Sequence, residues 1–313
     1  MRIAVIGSGS VGCLYGARLA LAGHDVHFLM RRDLEAVRRN GLTVRSCDGD
    51  FHLAAKAYGR SEEIGPVDLV LCALKTTALD TARALIRPCL GPETDVLALM
   101  NGLGVEDRFA EWFPPEHVFG GLAFVCINRG EPGVVHHYGY GRVVIGHLQN
   151  DVARARAIAD LFSAAGFEAS VAQSLLRARW EKLVWNIPFS TLTVSAGAVT
   201  TRHIMEDDGL RELAGVLMAE TIAAGNAELA AADRIAPEPL IEKMFANTAT
   251  MGDYRPSMLV DYRARQPLEV ESILGEPVRR AAAHGVAVPA MRMQYRLVSF
   301  LDRLNRGIVR PPE

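Results

Sequence analysis

The chain has 313 residues, 50% of them apolar and 22% charged. That mix excludes a disordered chain and gives enough length for two folded cores. Lys and Arg total 34 against 36 Asp and Glu, a net charge of −2, so the charge balance favours neither nucleic acid nor an anionic membrane as a partner.

The five cysteines, Cys13, Cys47, Cys72, Cys89 and Cys126, include no CxxC pair. They suggest neither a disulfide framework nor a zinc site, and fit reduced thiols in a cytoplasm. Met1-Arg2 leads straight into a short apolar strand that stops at Gly7, too short for a signal peptide. Leu183 to Thr201 carries no charge but holds Asn186, Pro188, Ser190 and several threonines. That is too polar for a spanning helix and suits an interior wall that meets a ligand.

In chain order, Arg2–Ile6 reads as a strand and Val11 to Ala22 as a helix stopped by Gly23. Asp25–Leu29 is a second strand and Val67–Leu74 a nearly all-apolar third. A helix from about Ala78 to Ile86 stops before Pro88, and Asp95–Leu99 is another strand. Continuous apolar strands alternating with helices predict a parallel sheet covered on both faces. From His117 to Leu148, three β-rich runs divided by Gly130–Gly133 and Gly139–Gly141 predict antiparallel strands. Asp151–Ala165 reads as a helix and Phe167–Val171 as a short strand. Beyond Ser174 the strand signals fade. Arg177–Trp185, Leu210–Ala232, Pro239–Ala249, Pro267–His284 and Pro289–Asn305 have helical spacing or helix-start signals. The expectation is an α/β domain over 1–172 and an all-α domain over 173–313.

The first strand runs into Gly7-Ser8-Gly9-Ser10-Val11-Gly12, a GxGxxG between a strand and a helix. Gly7 allows the tight turn, Gly9 lets the backbone approach a diphosphate, and Gly12 lets helix pack on strand. The helix N-terminus then holds the diphosphate. A ribose-binding Asp or Glu commonly ends the second strand of such a fold. Here Met30-Arg31-Arg32 stands there, and the arginines favour a 2′-phosphate, hence NADP. Asp33 keeps NAD open.

In Trp180-Glu181-Lys182-Leu183-Val184-Trp185-Asn186, Lys182 and Asn186 share a helix face. Lys182 is a candidate general acid, although spacing alone favours a surface lysine beside Glu181. Ser257, Glu269 and Glu271 lie in a stretch that nothing local marks as catalytic. His136, His137 and the other histidines show no metal-ligand spacing, so no metal is expected.

Together, the glycine loop, Leu74-Lys75, Asn101-Gly102, Trp180-Glu181-Lys182-Leu183 with Asn186, and Ser257-Met258-Leu259 followed by Glu269 resemble the ketopantoate reductases, also called 2-dehydropantoate 2-reductases. Ala283-His284-Gly285-Val286 with Val288-Pro289 is similar to that family's C-terminal pattern. The resemblance implies a Rossmann-type α/β N-terminal domain for the dinucleotide and an all-α C-terminal domain for substrate and dimerisation, with the active site in the cleft between them. It implies NADPH-dependent reduction of a 2-oxo acid to a 2-hydroxy acid, in pantothenate and so coenzyme A biosynthesis. Residue by residue, it makes Lys182 the proton donor, Glu269 a catalytic and substrate-holding acid, and Asn101 the asparagine near the nicotinamide and the reacting carbonyl. Gly7, Ser8, Gly9, Ser10, Val11, Gly12, Arg31 and Lys75 join Asn101 as cofactor residues. Asn186, Ser190, Ser257 and Glu269 face the substrate. A small-molecule substrate, a cytoplasmic location and a homodimer complete the expectation.

Three positions depart from the family pattern. Ser190 stands where a second asparagine is usual, Leu274-Gly275 replaces Asn-Gly, and Leu122-Ala123-Phe124-Val125-Cys126 is bulkier than a threonine- and alanine-rich run. Two further readings stay open: reduction of a different 2-oxo acid, and an NADPH-binding sensor without turnover.

Overall fold

A computed structural model describes residues 1–309 and divides into two compact units. One comprises Met1–Met100 with Val105–Leu175. The other comprises Asn101–Gly104 with the chain from Leu176 onward.

The first unit carries strands β1 (Arg2–Ile6), β2 (Asp25–Leu29), β3 (Leu42–Ser46), β4 (Phe51–Leu53), β5 (Lys56–Tyr58), β6 (Leu69–Cys72), β7 (Asp95–Ala98), β8 (Val118–Arg129), β9 (Val134–His147) and β10 (Ala169–Val171). They form one sheet in the order β4-β3-β9-β8-β7-β6-β1-β2-β5, with β10 on β9. The pairs around β1 are parallel, whereas β8–β9 and β3–β4 are antiparallel. Helices α1 (Ser10–Leu21), α2 (Leu34–Asn40), α3 (Leu79–Ile86), α4 (Val105–Ala110) and α5 (Val152–Ala164) join the strands.

The all-apolar strands are buried on both faces, as their composition requires. Ile3, Val5, Phe28, Leu71 and Leu97 pack in one core. Their strand neighbours Ala4, Ile6, Val70, Cys72, Val96 and Ala98 pack in another.

The second unit is helical: most of α6 (Leu175–Ser195), then α7 (Thr201–Glu206), α8 (Asp208–Glu228), α9 (Pro237–Ala249), α10 (Ser257–Arg263), α11 (Glu276–Ala283) and α12 (Pro289–Asn305). A π-helical turn, Glu271–Gly275, precedes α11. Its core includes Trp180, Leu183, Ile187, Phe189, Leu217, Met291 and Val298.

The structure corrects four local expectations. Residues 34–58, given no element from sequence, form α2, β3, β4 and β5; these are three to seven residues long, too short for a period to show. Gly139–Gly141 does not divide strands but lies within β9, where register shifts absorb it. The expected helix at 177–185 continues to Ser195 through Pro188. Thr191 and Thr193 are fully buried there, and their hydroxyls donate to the carbonyls of Ile187 (2.6 Å) and Phe189 (2.8 Å). Much of the uncharged stretch is therefore helical core rather than ligand wall. The helix expected from Pro267 begins only at Val270 and opens with the π turn.

Candidate active site

The glycine loop is built by close approach. Gly7 has φ +97°, and a Cβ there would lie 2.5 Å from Leu74 N. A Cβ on Gly12 would lie 2.4 Å from Gly7 O. Both positions therefore exclude any side chain. Gly9 differs: the nearest atom to a Cβ there is the Arg129 guanidinium at 3.8 Å, so its outer face is open. Helix α1 begins at the next residue, with no acidic side chain in its first turn and no side-chain cap among the described residues. Unclaimed N–H groups and the positive helix end fit the diphosphate of a dinucleotide. The Ser8 hydroxyl donates to Leu29 O (2.9 Å) and ties the loop to the end of β2. Beneath it the Cys13 thiol donates to Ser8 O (3.4 Å), and burial pushes its pKa up to about 12. It is an inert floor rather than a reactive group.

After β2, Met30 is buried, Arg31 and Arg32 are exposed, and Asp33 is buried at 8% exposure. Arg129, at the end of β8, sets one guanidinium nitrogen 3.2 Å from Asp33 Oδ2, and another donates to Ser8 O at 3.4 Å. Asp33 Oδ1 is buried without a hydrogen-bond partner, the Arg32 guanidinium standing 3.8 Å away. An orphan acceptor beside the glycine loop is what a ribose hydroxyl would satisfy. Sequence reasoning missed Arg129. It lies 121 residues from Ser8, and only strand pairing brings it there. Lys75 is exposed at the head of a short turn after β6.

In the second unit, Lys182 Nζ donates to Asn101 Oδ1 (2.9 Å), and Asn101 Nδ2 donates to Glu269 Oε2 (3.5 Å). Glu269 is 6% exposed, while Lys182 and Asn101 are half-buried. The short Asn101–Gly104 segment is held here by its backbone. Leu103 N–H donates to Ser272 O (2.9 Å) in the π turn. Gly102 has φ +88°, and a Cβ there would meet that of Ser272 at 2.5 Å. An amide is thus fixed between an ammonium and a buried carboxylate. Such a chain can hold a cation in one orientation, the arrangement needed to stabilise an oxygen that gains charge.

Asn186 and Ser190 follow Lys182 on successive turns of α6, the first half-buried and the second buried. Ser257 is exposed at the first position of α10. Two of the departures fall into cores rather than toward a ligand: Leu274 is 0% and Leu122 1% exposed. Phe124 is half-buried, with the Arg142 guanidinium 4.3 Å from its ring centre.

The first unit is of Rossmann type, and the comparisons with known proteins agree with that class. Residues 3–150 match the family described as ketopantoate reductase PanE/ApbA, and residues 174–302 match its C-terminal part. A 2-dehydropantoate 2-reductase from Nostoc sp. is 39% identical over 97% of this chain and 96% of its own. The solved 2-dehydropantoate 2-reductase from Geobacter metallireducens is 44% identical, with TM-score 0.93 over 96% of this chain and 99% of that one. The one from Methylococcus capsulatus is 33% identical, with TM-score 0.89 over 97% and 98%. The chain belongs to the ketopantoate reductase family.

Proposed function

We propose that this protein is an NADPH-dependent oxidoreductase that reduces 2-dehydropantoate (ketopantoate) to pantoate in pantothenate biosynthesis. Membership of the family supports the reaction. The single observation that carries it is the Lys182–Asn101–Glu269 chain of hydrogen bonds. We assign cofactor binding to residues 1–172 and substrate binding to 173–313, with a homodimer as the assembly. A cytoplasmic location accompanies this reading; no described helix is long and apolar enough to cross a membrane.

NADPH, when bound, supplies the hydride for the C2 ketone. Gly7, Ser8, Gly9, Ser10, Val11 and Gly12 would form the cradle of its diphosphate, the N–H groups of the helix start donating to it while Gly9 N–H stays on Gly7 O (2.8 Å). Arg31 pairs with the 2′-phosphate and Lys75 adds a second cation. Lys182 holds the ketone oxygen, stabilises the charge that develops there, and gives it a proton. Each ~1.4 kcal/mol of selective stabilisation is about tenfold in rate. Asn101 keeps the ammonium aimed, and Glu269 keeps Asn101 aimed. Asn186 and Ser257 bind the polar ends of the substrate, and Ser190 lies one turn further along.

A second reading, reduction of another 2-oxo acid, draws on Ser190 and on the bulky run Leu122–Cys126. Following NADPH oxidation by absorbance against ketopantoate and a panel of 2-oxo acids separates the two. The highest kcat/KM is expected for ketopantoate. Clear activity on an apolar 2-oxo acid, with none on ketopantoate, overturns the assignment.

A further inference from the structure

His137, on β9, takes no part in the chemistry above, yet its ring is fixed with unusual care. Ser46, the last residue of β3, pairs with His137, and Cys47 N–H extends the pairing by donating to His137 O (3.0 Å). Opposite β8, β9 carries two extra residues. Phe124 pairs with Arg142 and Val125 with Tyr140, which skips Gly141. Cys126 pairs with Gly139 and Ile127 with His137, which skips Tyr138. Bulges of this kind re-aim backbone groups and side chains. Here the carbonyls of Gly139 and Tyr140 both stand 3.1 Å from His137 Nε2. A carbonyl only accepts, so Nε2 bears the proton and Nδ1 presents a lone pair. The side chain is 1% exposed.

Nδ1 points at a set of donors suited to a cation. Cys47 Sγ lies 3.9 Å away, and Asp48 Oδ2 lies 3.8 Å away. Cys47 Sγ is 3.6 Å from Asp48 Oδ1, and donor atoms of the three residues all fall within 4.8 Å of one another. A tetrahedral zinc ion, at ~2.3 Å from sulfur and ~2.0–2.1 Å from nitrogen or oxygen, sets its donors about 3.3–3.6 Å apart. The edges from Nδ1 to sulfur and to Asp48 Oδ2 need a contraction of a few tenths of an ångström to match, and the exposed Asp48 side chain turns one oxygen to close the third edge, which lies within 4.8 Å. Ser46 Oγ donates to Nδ1 at 2.9 Å; its hydroxyl can rotate away, leaving that oxygen or a water to complete a fourth position. Cys47 and Asp48 are exposed and give the ion a route in, while the His137 Nε2 contacts supply the backbone-carbonyl support usual behind a metal-binding histidine.

We propose that Cys47, Asp48 and His137 bind one divalent cation of the zinc class at the β3–β9 edge of the α/β unit. Thiolate, imidazole and carboxylate together select zinc over magnesium or calcium. As the sulfur–metal bond forms, the thiol proton leaves to solvent. Ninety residues separate Cys47 from His137, so no local spacing announces the site.

The test is a titration of the full chain, stripped with chelator, with Co2+ and then Zn2+. One equivalent of Co2+ is expected to give tetrahedral visible bands and a thiolate-to-cobalt charge-transfer band, both bleached by Zn2+. Cys47→Ser should abolish the charge-transfer band and weaken Zn2+ at least about tenfold. Asp48→Asn should weaken Zn2+ while keeping that band, and Cys126→Ser should change neither. NADPH affinity, read by fluorescence, should stay unchanged in all three and so report intact folding. Absence of the cobalt bands, survival of the charge-transfer band in Cys47→Ser, or its loss in Cys126→Ser overturns the proposal.

Discussion

The glycine loop is assembled from neighbours: a strand, three glycines and a helix start follow one another within Arg2–Leu21. Lys182, Asn101 and Glu269 are assembled from strangers. Lys182 stands 81 residues from Asn101, and Glu269 stands 168 from it. In the function proposed, the loop would work through backbone N–H groups, so its requirement is the absence of side chains. The second cluster would work through side chains, so its requirement is that three distant segments hold position together. Damage to the loop should therefore appear in cofactor affinity, and damage to the cluster in turnover.

The largest effect expected is from Lys182→Ala. Loss of the proton donor should lower kcat by about 10²–10⁴ with NADPH affinity little changed. Steady-state kinetics and a fluorescence titration check both halves. Near-normal turnover would remove Lys182 from the role of acid and break the contrast between the two regions.

Gly102→Ala is a sharper probe, because it leaves every polar side chain in place. The new Cβ would sit 2.5 Å from that of Ser272 in a φ +88° backbone, so the Asn101–Gly104 segment and the Ser272 turn must move apart, which alters how Asn101 meets Lys182 and Glu269. A displacement of this kind is expected to cost up to about 10² in kcat and about 1–3 kcal/mol of stability. Thermal melts and kinetics of the one variant read both. If kcat is unchanged, Asn101 does not position Lys182.

This contrast also sets what the sequence reveals. Gly7–Gly12 is legible because turn, close approach and helix start are encoded side by side. The buried strands are legible because uninterrupted apolar runs leave few alternatives. Lys182 and Glu269 are not legible from local pattern, which describes solvated charges equally well; they stand out only through resemblance to a family. Arg129, which meets both Ser8 O and Asp33, has no local signal, since β8 alone carries it there. Pro188 misleads in the other direction, because burial of α6 overrides a residue that normally stops helices.

Within the cofactor region, Arg31→Ala should weaken NADPH about tenfold to a hundredfold, from the loss of ~1.5–3 kcal/mol in a charge-assisted contact. NADH should be nearly unaffected. Equal affinity of the unaltered protein for the two cofactors would sink the assignment of Arg31. Arg129→Ala should move the NADPH-to-NADH ratio in the same direction by a smaller factor. It leaves the Asp33 carboxylate with only the more distant Arg32 guanidinium at 3.8 Å, and a less neutralised carboxylate repels a 2′-phosphate and accepts ribose hydroxyls.

The smallest effect expected is at Ser190. The α-helix rises about 1.5 Å per residue, so Ser190 stands ~12 Å along α6 from Lys182 and Asn186 only ~6 Å. In ketopantoate the terminal hydroxyl is two carbons from the ketone, a span suited to Lys182 with Asn186 and too short to reach Ser190. Ser190 is also 4% exposed, and its carbonyl accepts from the Thr193 hydroxyl (3.2 Å) within the helix core. Ser190→Asn adds volume and a second donor beyond the reach of ketopantoate. If ketopantoate is the substrate, kcat/KM should stay within about tenfold of its original value, less than the loss of a direct hydrogen bond would cause. If the native substrate is a longer apolar 2-oxo acid that reaches this turn, the same change should harm that compound while sparing ketopantoate. Measuring kcat/KM for both compounds in both proteins decides between them. A loss on ketopantoate beyond tenfold would place Ser190 in direct contact with it, against the helical spacing argued here.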